Sequence, residues 1–506
     1  MNLPRHSAWS RRTFLATVGA GVVAAAAACR SGVAAPSQAG SSMNATTAAQ
    51  GVVEAWVHTR HSPYYIAHRG AGDVYPEHTM PSYQAAVGWG APAIEVSTSS
   101  SADNVLVCMH DLTLDRTTDA TGPIKARTWG ELQNIGVVQP QLGPKWTAPP
   151  LPTIPSFEQV LKAFGDKTVL CVEAKADTDY PLMISLIEKY GLQHNVIVKL
   201  FHRSSRIAEA KAAGYPVFVY LGGEDTSAAT IRSAARNLDK ATDYLVLPTT
   251  SVAQHGAEIP DATIRTAVET GIATWVYPVH RRSEAERYHQ LGVEGIVTSS
   301  LQYVSGRSAP ATADSWSSKA IAPGELTRHP DRSENGPSWT GQDELTLDRN
   351  GAQQFITLGQ LAPLADPQGR YRLSFDLRWN ELPTDVTQTF TLAVGHVDDA
   401  YYEHRLGVSN GYHAIYRANG ALTIFSHTAG VKEGLQLSGI TKTAIKTGEW
   451  MSMRLEVSPS TLVWSRLGTD GTSSVVATDP SFRGGYLHIG RSASDGSLSL
   501  RRLRIE

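Results

Sequence analysis

Between Tyr65 and Asp111 this 506-residue chain sets two histidines, an arginine and several carboxylates at the ends of short apolar runs. The segments read Tyr65-Ile66-Ala67-His68-Arg69-Gly70, Pro76-Glu77-His78-Thr79, Ile94-Glu95-Val96-Ser97 and Val107-Cys108-Met109-His110-Asp111. A further acidic and basic pair, Glu173-Ala174-Lys175, ends the apolar run from Thr168 to Val172. Imidazoles titrate near neutral pH, so one can take a proton while another gives one. Carboxylates can hold a divalent cation, and arginine and lysine can grip a phosphate. The chemistry this set could perform is proton transfer at a phosphate ester.

Such side chains need strands to aim them. Candidate strands are Tyr65–His68, Ala93–Ser97, Thr168–Ala174, Val196–Leu200, Pro216–Leu221, Tyr244–Leu247, Ala273–Tyr277 and Gly295–Thr298. Helix-like stretches alternate with them: Met80–Trp89, Ser156–Phe164, Pro181–Tyr190, Ser204–Ala213, Ala228–Leu238, Asp261–Glu269 and Ser283–Leu291. Eight strands with helical crossovers predict an α/β fold, a (β/α)8 TIM barrel. The interval from Thr98 to Pro155 is too long for a plain crossover. It predicts a small insertion after strand 2, with a hairpin turning at Asp103-Asn104 and returning through Val105–Met109 to carry His110 over the mouth. Active sites of such barrels lie at the carboxyl ends of the strands, where His68, Glu95, Glu173 and Lys175 fall. From Leu345 the pattern becomes alternating apolar and polar, with turns at Asn410-Gly411, Asn419-Gly420 and Asp470-Gly471. The runs Arg372–Trp379, Thr389–Val394, Gly411–Arg417, Ala421–Ser426, Trp450–Val457, Leu462–Leu467, Gly485–Ile489 and Leu498–Ile505 predict an all-β sandwich domain of jelly-roll type.

The amino terminus predicts export. Ser10-Arg11-Arg12-Thr13-Phe14-Leu15 precedes an apolar run from Val18 to Ala28, a twin-arginine signal too short to span a bilayer, which takes roughly 20 residues. Ala26-Ala27-Ala28-Cys29 resembles a lipobox, and a peptidase site near Val33-Ala34-Ala35 is the alternative. The product is then either secreted or lipid-anchored at the outer face of the cytoplasmic membrane, with no other membrane attachment. The expected divisions are a signal over 1–35, a linker over 36–55, the barrel over 56–306, a second linker over 307–340 and the sandwich over 341–506. A formal net charge of -2 argues against a nucleic-acid partner. Cys108 and Cys171 read as buried core thiols. Trp379, Tyr401, Tyr402, Tyr412, Tyr416, Trp450 and Trp464 could stack on a cell-wall glycan or fill the space between sheets. Trp275 reads as barrel or pocket wall.

From about Tyr64 to Leu301 the motifs resemble the glycerophosphodiester phosphodiesterase family. The resemblance is carried in order by His68-Arg69-Gly70, Pro76-Glu77-His78-Thr79, Glu95, His110-Asp111-Leu112-Thr113-Leu114-Asp115-Arg116-Thr117-Thr118, Thr121-Gly122 and Glu173-Ala174-Lys175. It implies His68 and His110 as general acid and base, with Arg69 and Lys175 on the substrate phosphate. It implies Glu95 and Glu173 as ligands of a divalent cation (calcium or magnesium, with manganese open) and Glu77 as a support for Arg69 or a metal-bound water. The implied reaction converts a glycerophosphodiester, or a glycerol-phosphate polymer, into glycerol 3-phosphate and an alcohol. The sandwich resembles concanavalin-like or laminin-G-like modules only in strand rhythm and in its ending, Gly485 to Arg491.

One departure stands at the second strand, where the family pattern Glu-x-Asp reads Glu95-Val96-Ser97. A neutral serine oxygen replaces a carboxylate in a hard-cation site, which weakens it. Two other readings therefore stay open: a phospholipase D-like enzyme on a related barrel, and a degenerate barrel that binds phosphodiesters without cleaving them.

Overall fold

A computed structural model describes residues 56, 64–139, 142, 146–251, 257–306, 326–328, 338–340, 344–347, 354–358, 370–397, 399, 410–431, 433–468, 471–492 and 494–506. The twin-arginine segment, Cys29, Tyr401 and Tyr402 lie outside the described residues.

Eight parallel strands close a barrel. They are β1 (Tyr64–Ala67), β2 (Ala93–Ser100), β4 (Val169–Ala174), β5 (Val196–Phe201), β6 (Val217–Tyr220), β7 (Tyr244–Pro248), β8 (Ala273–Val279) and β9 (Gly295–Thr298). The order is β1-β9-β8-β7-β6-β5-β4-β2, and β2 pairs back onto β1. The short β3 (Leu106–Cys108) runs antiparallel to β2, with Cys108 opposite Thr98, as the hairpin reading expects. Helices between the strands start where their caps predict. Thr79 accepts a hydrogen bond from the Ser82 amide before α1 (Met80–Gly88), and Ser156 accepts one from Gln159 before the helix Phe157–Phe164.

Strand alternation sorts the interior into levels, because residues i and i+2 face one side of a sheet. At the lower levels Ile66, Ala93, Val169, Cys171, Ile197, Phe218, Tyr244, Val246, Trp275 and Val297 form one apolar cluster. Two residues further along the same strands the character changes to Glu95, Glu173, Lys199, Tyr220 and Tyr277, with Ser97 a further two residues beyond Glu95. The barrel is thus plugged with hydrocarbon below and charged at its carboxyl end. Trp275 belongs to the plug. It is fully buried, its ring centroid lies 4.1 Å from that of Tyr244, and a Cβ on Gly295 would stand 2.3 Å from its ring. It supports the barrel floor rather than the pocket.

The insertion after β2 has a small core of its own, Val107, Met109, Leu114, Ile124, Leu132, Val137 and Ile154. Asp103 is the turn residue expected, accepting from Ser101 Oγ at 2.6 Å and from the Trp129 amide at 2.8 Å. Cys108 and Cys171 are buried free thiols, and burial pushes both up from the usual thiol range.

The carboxyl-terminal region is a separate all-β unit of two antiparallel sheets. One sheet contains Thr389–Gly395, Gly411–Arg417, Ala421–His427 and Gly484–Arg491, and the other Tyr371–Glu381, Met451–Val457, Thr461–Gly468, Gly471–Thr478 and Ser497–Ile505. Trp379, Tyr412, Tyr416 and Trp464 are buried in the core shared by the sheets, which removes them from any sugar-stacking role. Trp450 is covered by Arg378 and Arg501, whose guanidiniums lie 4.3 and 4.0 Å from its ring centroid. The sandwich also reaches the barrel. Asp399 accepts from the Arg282 and Ser283 amides at 2.6 and 2.8 Å, capping the helix Arg282–Gln290, and Tyr303 donates to it at 2.8 Å.

Trp275→Ala is expected to cost about 3–5 kcal/mol of barrel stability by leaving a cavity in the plug. Chemical denaturation checks this; a cost below about 1 kcal/mol would contradict the core role.

Candidate functional site

Parallel register brings the charged level together. Ser97 pairs with Glu173 across β2 and β4, and Val172 pairs with Val198, so Glu173 and Lys199 follow side by side on β4 and β5. Lys199 is only 5% exposed, and its Nζ lies 2.5 Å from Glu95 Oε1 and 2.8 Å from Glu173 Oε2. The ammonium therefore sits between the two carboxylates. The other oxygens are also engaged. Glu173 Oε1 accepts from Tyr220 Oη at 2.7 Å and from Lys175 Nζ at 3.2 Å, while Ser97 Oγ donates to Oε2 at 3.2 Å. Glu95 Oε2 accepts from the Arg69 amide at 3.2 Å and lies 3.5 Å from His68 Nε2.

A second network runs along the rim. Arg69 Nη1 donates to both Glu77 oxygens at 3.1 Å. Arg116 grips the same carboxylate in a fork, Nη1 to Oε2 at 3.0 Å and Nη2 to Oε1 at 2.7 Å, and its Nε donates to Asp111 Oδ2 at 2.6 Å. Asp111 Oδ1 lies 2.7 Å from His110 Nδ1, and His68 Nδ1 lies 2.7 Å from Ser299 Oγ. Each imidazole is thus oriented through Nδ1. Arg69 joins the two networks from a left-handed backbone, φ +55°, held by the Glu95 carboxylate at its amide and by Glu77 at its guanidinium. The next residue must be glycine: Gly70 has φ +85° and a Cβ there would lie 2.5 Å from Ser82 Oγ.

Charge follows from these contacts. Burial acts to raise Glu95 and Glu173, but Lys199, joined by His68 and Arg69 at Glu95 and by Lys175 and Tyr220 at Glu173, outweighs it and holds both below the usual carboxylate range. Burial acts to lower Lys199, but the same two carboxylates push it up, so the ammonium is permanent. Glu77 is held well below its ordinary value by Arg69 and Arg116 against its burial. Burial, with Arg69 adding to it, lowers His68 to about 3 and His110 to about 4. Lys175 is lowered by burial against the pull of Glu173.

All the sequence-derived candidates except Trp275 therefore gather at the barrel mouth: His68, Arg69, Glu77, Glu95, Ser97, His110, Asp111, Glu173 and Lys175. Sequence reasoning missed Lys199, Ser299 and Tyr220, and left the role of Arg116 unread. The signal for Lys199 was present, since Val-Ile-Val-Lys-Leu-Phe is an apolar strand with one charge inside it.

Residues 68–302 match the model of the glycerophosphoryl diester phosphodiesterase family. The barrel belongs to this family. A glycerophosphodiester phosphodiesterase of Bacillus subtilis is 27% identical over 248 residues, 46% of this chain and 82% of its own length. One from Caldanaerobacter subterraneus is 28% identical over 244 residues, covering 46% of this chain and 92% of its own. A solved Oleispira antarctica phosphodiesterase, in complex with the product sn-glycerol-3-phosphate, has 18% identity and a TM-score of 0.41, over 50% of this chain and 98% of that one.

The phosphodiesterase family is generally dependent on a divalent cation. The donor set of this barrel does not fit one. Calcium takes six to eight oxygen ligands, and magnesium a near-octahedral set. Here every oxygen of Glu95 and Glu173 already faces a nitrogen or hydroxyl, and an ammonium stands between them. Among the described residues, no group of three or more His, Cys, Asp or Glu side chains converges as a cation site.

The imidazoles give the phosphodiesterase barrel a pH signature. With folded values of about 3 and about 4 against an ordinary 6.5, His68 and His110 bind fewer protons folded than unfolded. Their contribution to stability is full above pH 6.5 and is lost as pH falls from there toward 4. Replacing both by glutamine is expected to flatten the decline of the denaturant midpoint between pH 6.5 and 4.5. An equally steep decline in the double variant and the wild type would contradict the buried neutral imidazoles.

Proposed function

We propose that this barrel hydrolyses glycerophosphodiesters to glycerol 3-phosphate and an alcohol, with His68 and His110 as the acid–base pair. The observation that carries the reading is that two neutral imidazoles, each oriented through Nδ1, both feel the charge of Arg69, the residue suited to grip a phosphate. Family membership supplies the substrate class. Arg69 and Lys175 bind the phosphate oxygens, the arginine by its planar fork and the lysine as a point charge. One imidazole accepts a proton from the attacking water as the water oxygen bonds to phosphorus. The other protonates the leaving alkoxide as the bond from phosphorus to the alcohol oxygen breaks. A bound phosphodiester brings negative charge beside both rings and so favours the imidazolium that the acid needs. Asp111 stabilises the proton on His110, and Arg116 and Glu77 hold Asp111 and Arg69 at fixed separation.

The Arg11-Arg12 leader supports export by the twin-arginine route, with Cys29 as the candidate lipid anchor. In that compartment, deacylated phospholipids and glycerol-phosphate polymers are the substrates this chemistry suits.

The test is release of glycerol 3-phosphate from glycerophosphocholine by the purified protein. His68→Ala and His110→Ala are each expected to lower turnover by about 10²–10⁴-fold with unchanged circular dichroism. Turnover close to wild type in either variant would remove that residue from the pair.

A further inference from the structure

We propose that Lys199 is the resident cation of this site: its ammonium takes the place between Glu95 and Glu173 where a divalent ion would stand, and the barrel works without one. The catalytic half of this inference rests on the hydrolase reading above; the ion-binding half stands without it.

Four observations point the same way. Nζ lies within 2.5 and 2.8 Å of one oxygen from each carboxylate, which is direct charge-assisted bonding to both. The lysine is 5% exposed and lies over the Tyr220 ring, 4.7 Å from its centroid, while Tyr220 itself donates to Glu173. The remaining oxygens are taken by Tyr220 Oη and Lys175 Nζ at Glu173 and by the Arg69 amide and the approach of His68 Nε2 at Glu95, while Ser97 Oγ donates to the Glu173 oxygen that Lys199 holds, so a metal would have to break several of these contacts at once. Finally, Ser97 stands beside Glu173 as a neutral donor where a third carboxylate would strengthen an ion site. Charge is conserved by the exchange: two carboxylates around an ammonium leave the same single negative charge as three carboxylates around a divalent ion. Lys199 is a positioning residue. It holds Glu95 and Glu173 together and offsets their repulsion toward an anionic phosphate arriving at Arg69 and Lys175.

The full-length protein, dialysed against chelator, is titrated with calcium, magnesium and manganese chloride by calorimetry, and assayed on glycerophosphocholine in chelator and in each cation. The expected result is no saturable binding below about 1 mM, the weak end of protein calcium sites, and turnover in chelator within twofold of turnover in any cation. Lys199→Met is expected to lose roughly 100-fold or more in chelator. The double variant S97D/K199Q should acquire saturable cation binding and cation-dependent turnover, a gain that a merely structural lysine would not produce. Saturable binding by the wild type that Glu173→Gln abolishes, with turnover lost in chelator and restored by the ion, overturns the proposal. If Lys199→Met does not fold, the wild-type measurements decide alone. Absence of turnover under every condition defeats the hydrolase reading, and the calorimetry still rules on Lys199.

Discussion

The contact on which the site depends is the buried ammonium of Lys199 between Glu95 and Glu173. Three unpaired ions at the head of a barrel would each carry a desolvation penalty of several kcal/mol. Paired at this distance, they fix the three strands β2, β4 and β5 at one height and set the orientation of everything bonded to them. Ser97, Tyr220 and Lys175 all take their positions from Glu173, and the Arg69 amide takes its own from Glu95. Removing one member of such a cluster costs about 3–5 kcal/mol, because it leaves a buried charge uncompensated. The site is therefore rigid before any substrate arrives, which is the condition for electrostatic catalysis.

Arg69 couples that cluster to the rim. Its amide answers to Glu95 and its guanidinium to Glu77, and Glu77 answers to Arg116, Asp111 and then His110. The left-handed backbone at Arg69 stores strain of order 1–3 kcal/mol, and those two contacts are what hold it. The far end of the network stands on the insertion, which has its own apolar core and so can present His110 as firmly as the barrel presents His68. The two imidazoles come from segments that never pair directly. They are registered to each other by charge.

Much of this was legible in the sequence. Each barrel strand is a short apolar run between helical stretches, and the hairpin turn at Asp103-Asn104 explained the overlong second crossover. His68, Arg69, Glu95, His110, Asp111, Glu173 and Lys175 could be named because they end those runs, and Glu77 because the motif around it resembles the family's. Lys199 was visible as a charge inside an apolar strand, but its role was not, since that depends on β5 lying beside β4 and on position 199 facing inward, and neither is local information. Ser97 was noticed as a missing charge, but its partner was 76 residues away along the chain. Trp275 illustrates the opposite limit. Its strand was right, yet only closure of the barrel shows that it sits below the charged level. In the sandwich the same alternation that revealed the strands could not say which aromatics face the core. Trp379, Tyr412, Tyr416 and Trp464 turned out to be the filling between sheets.

The most direct test of the central claim is crystallographic. Crystals grown in manganese chloride would be examined by anomalous diffraction, since manganese scatters anomalously and an ammonium does not. The account predicts no anomalous peak between Glu95 and Glu173, and Lys199 Nζ within hydrogen-bonding distance of both carboxylates. A manganese ion bound by both carboxylates, with the lysine side chain displaced, would contradict it.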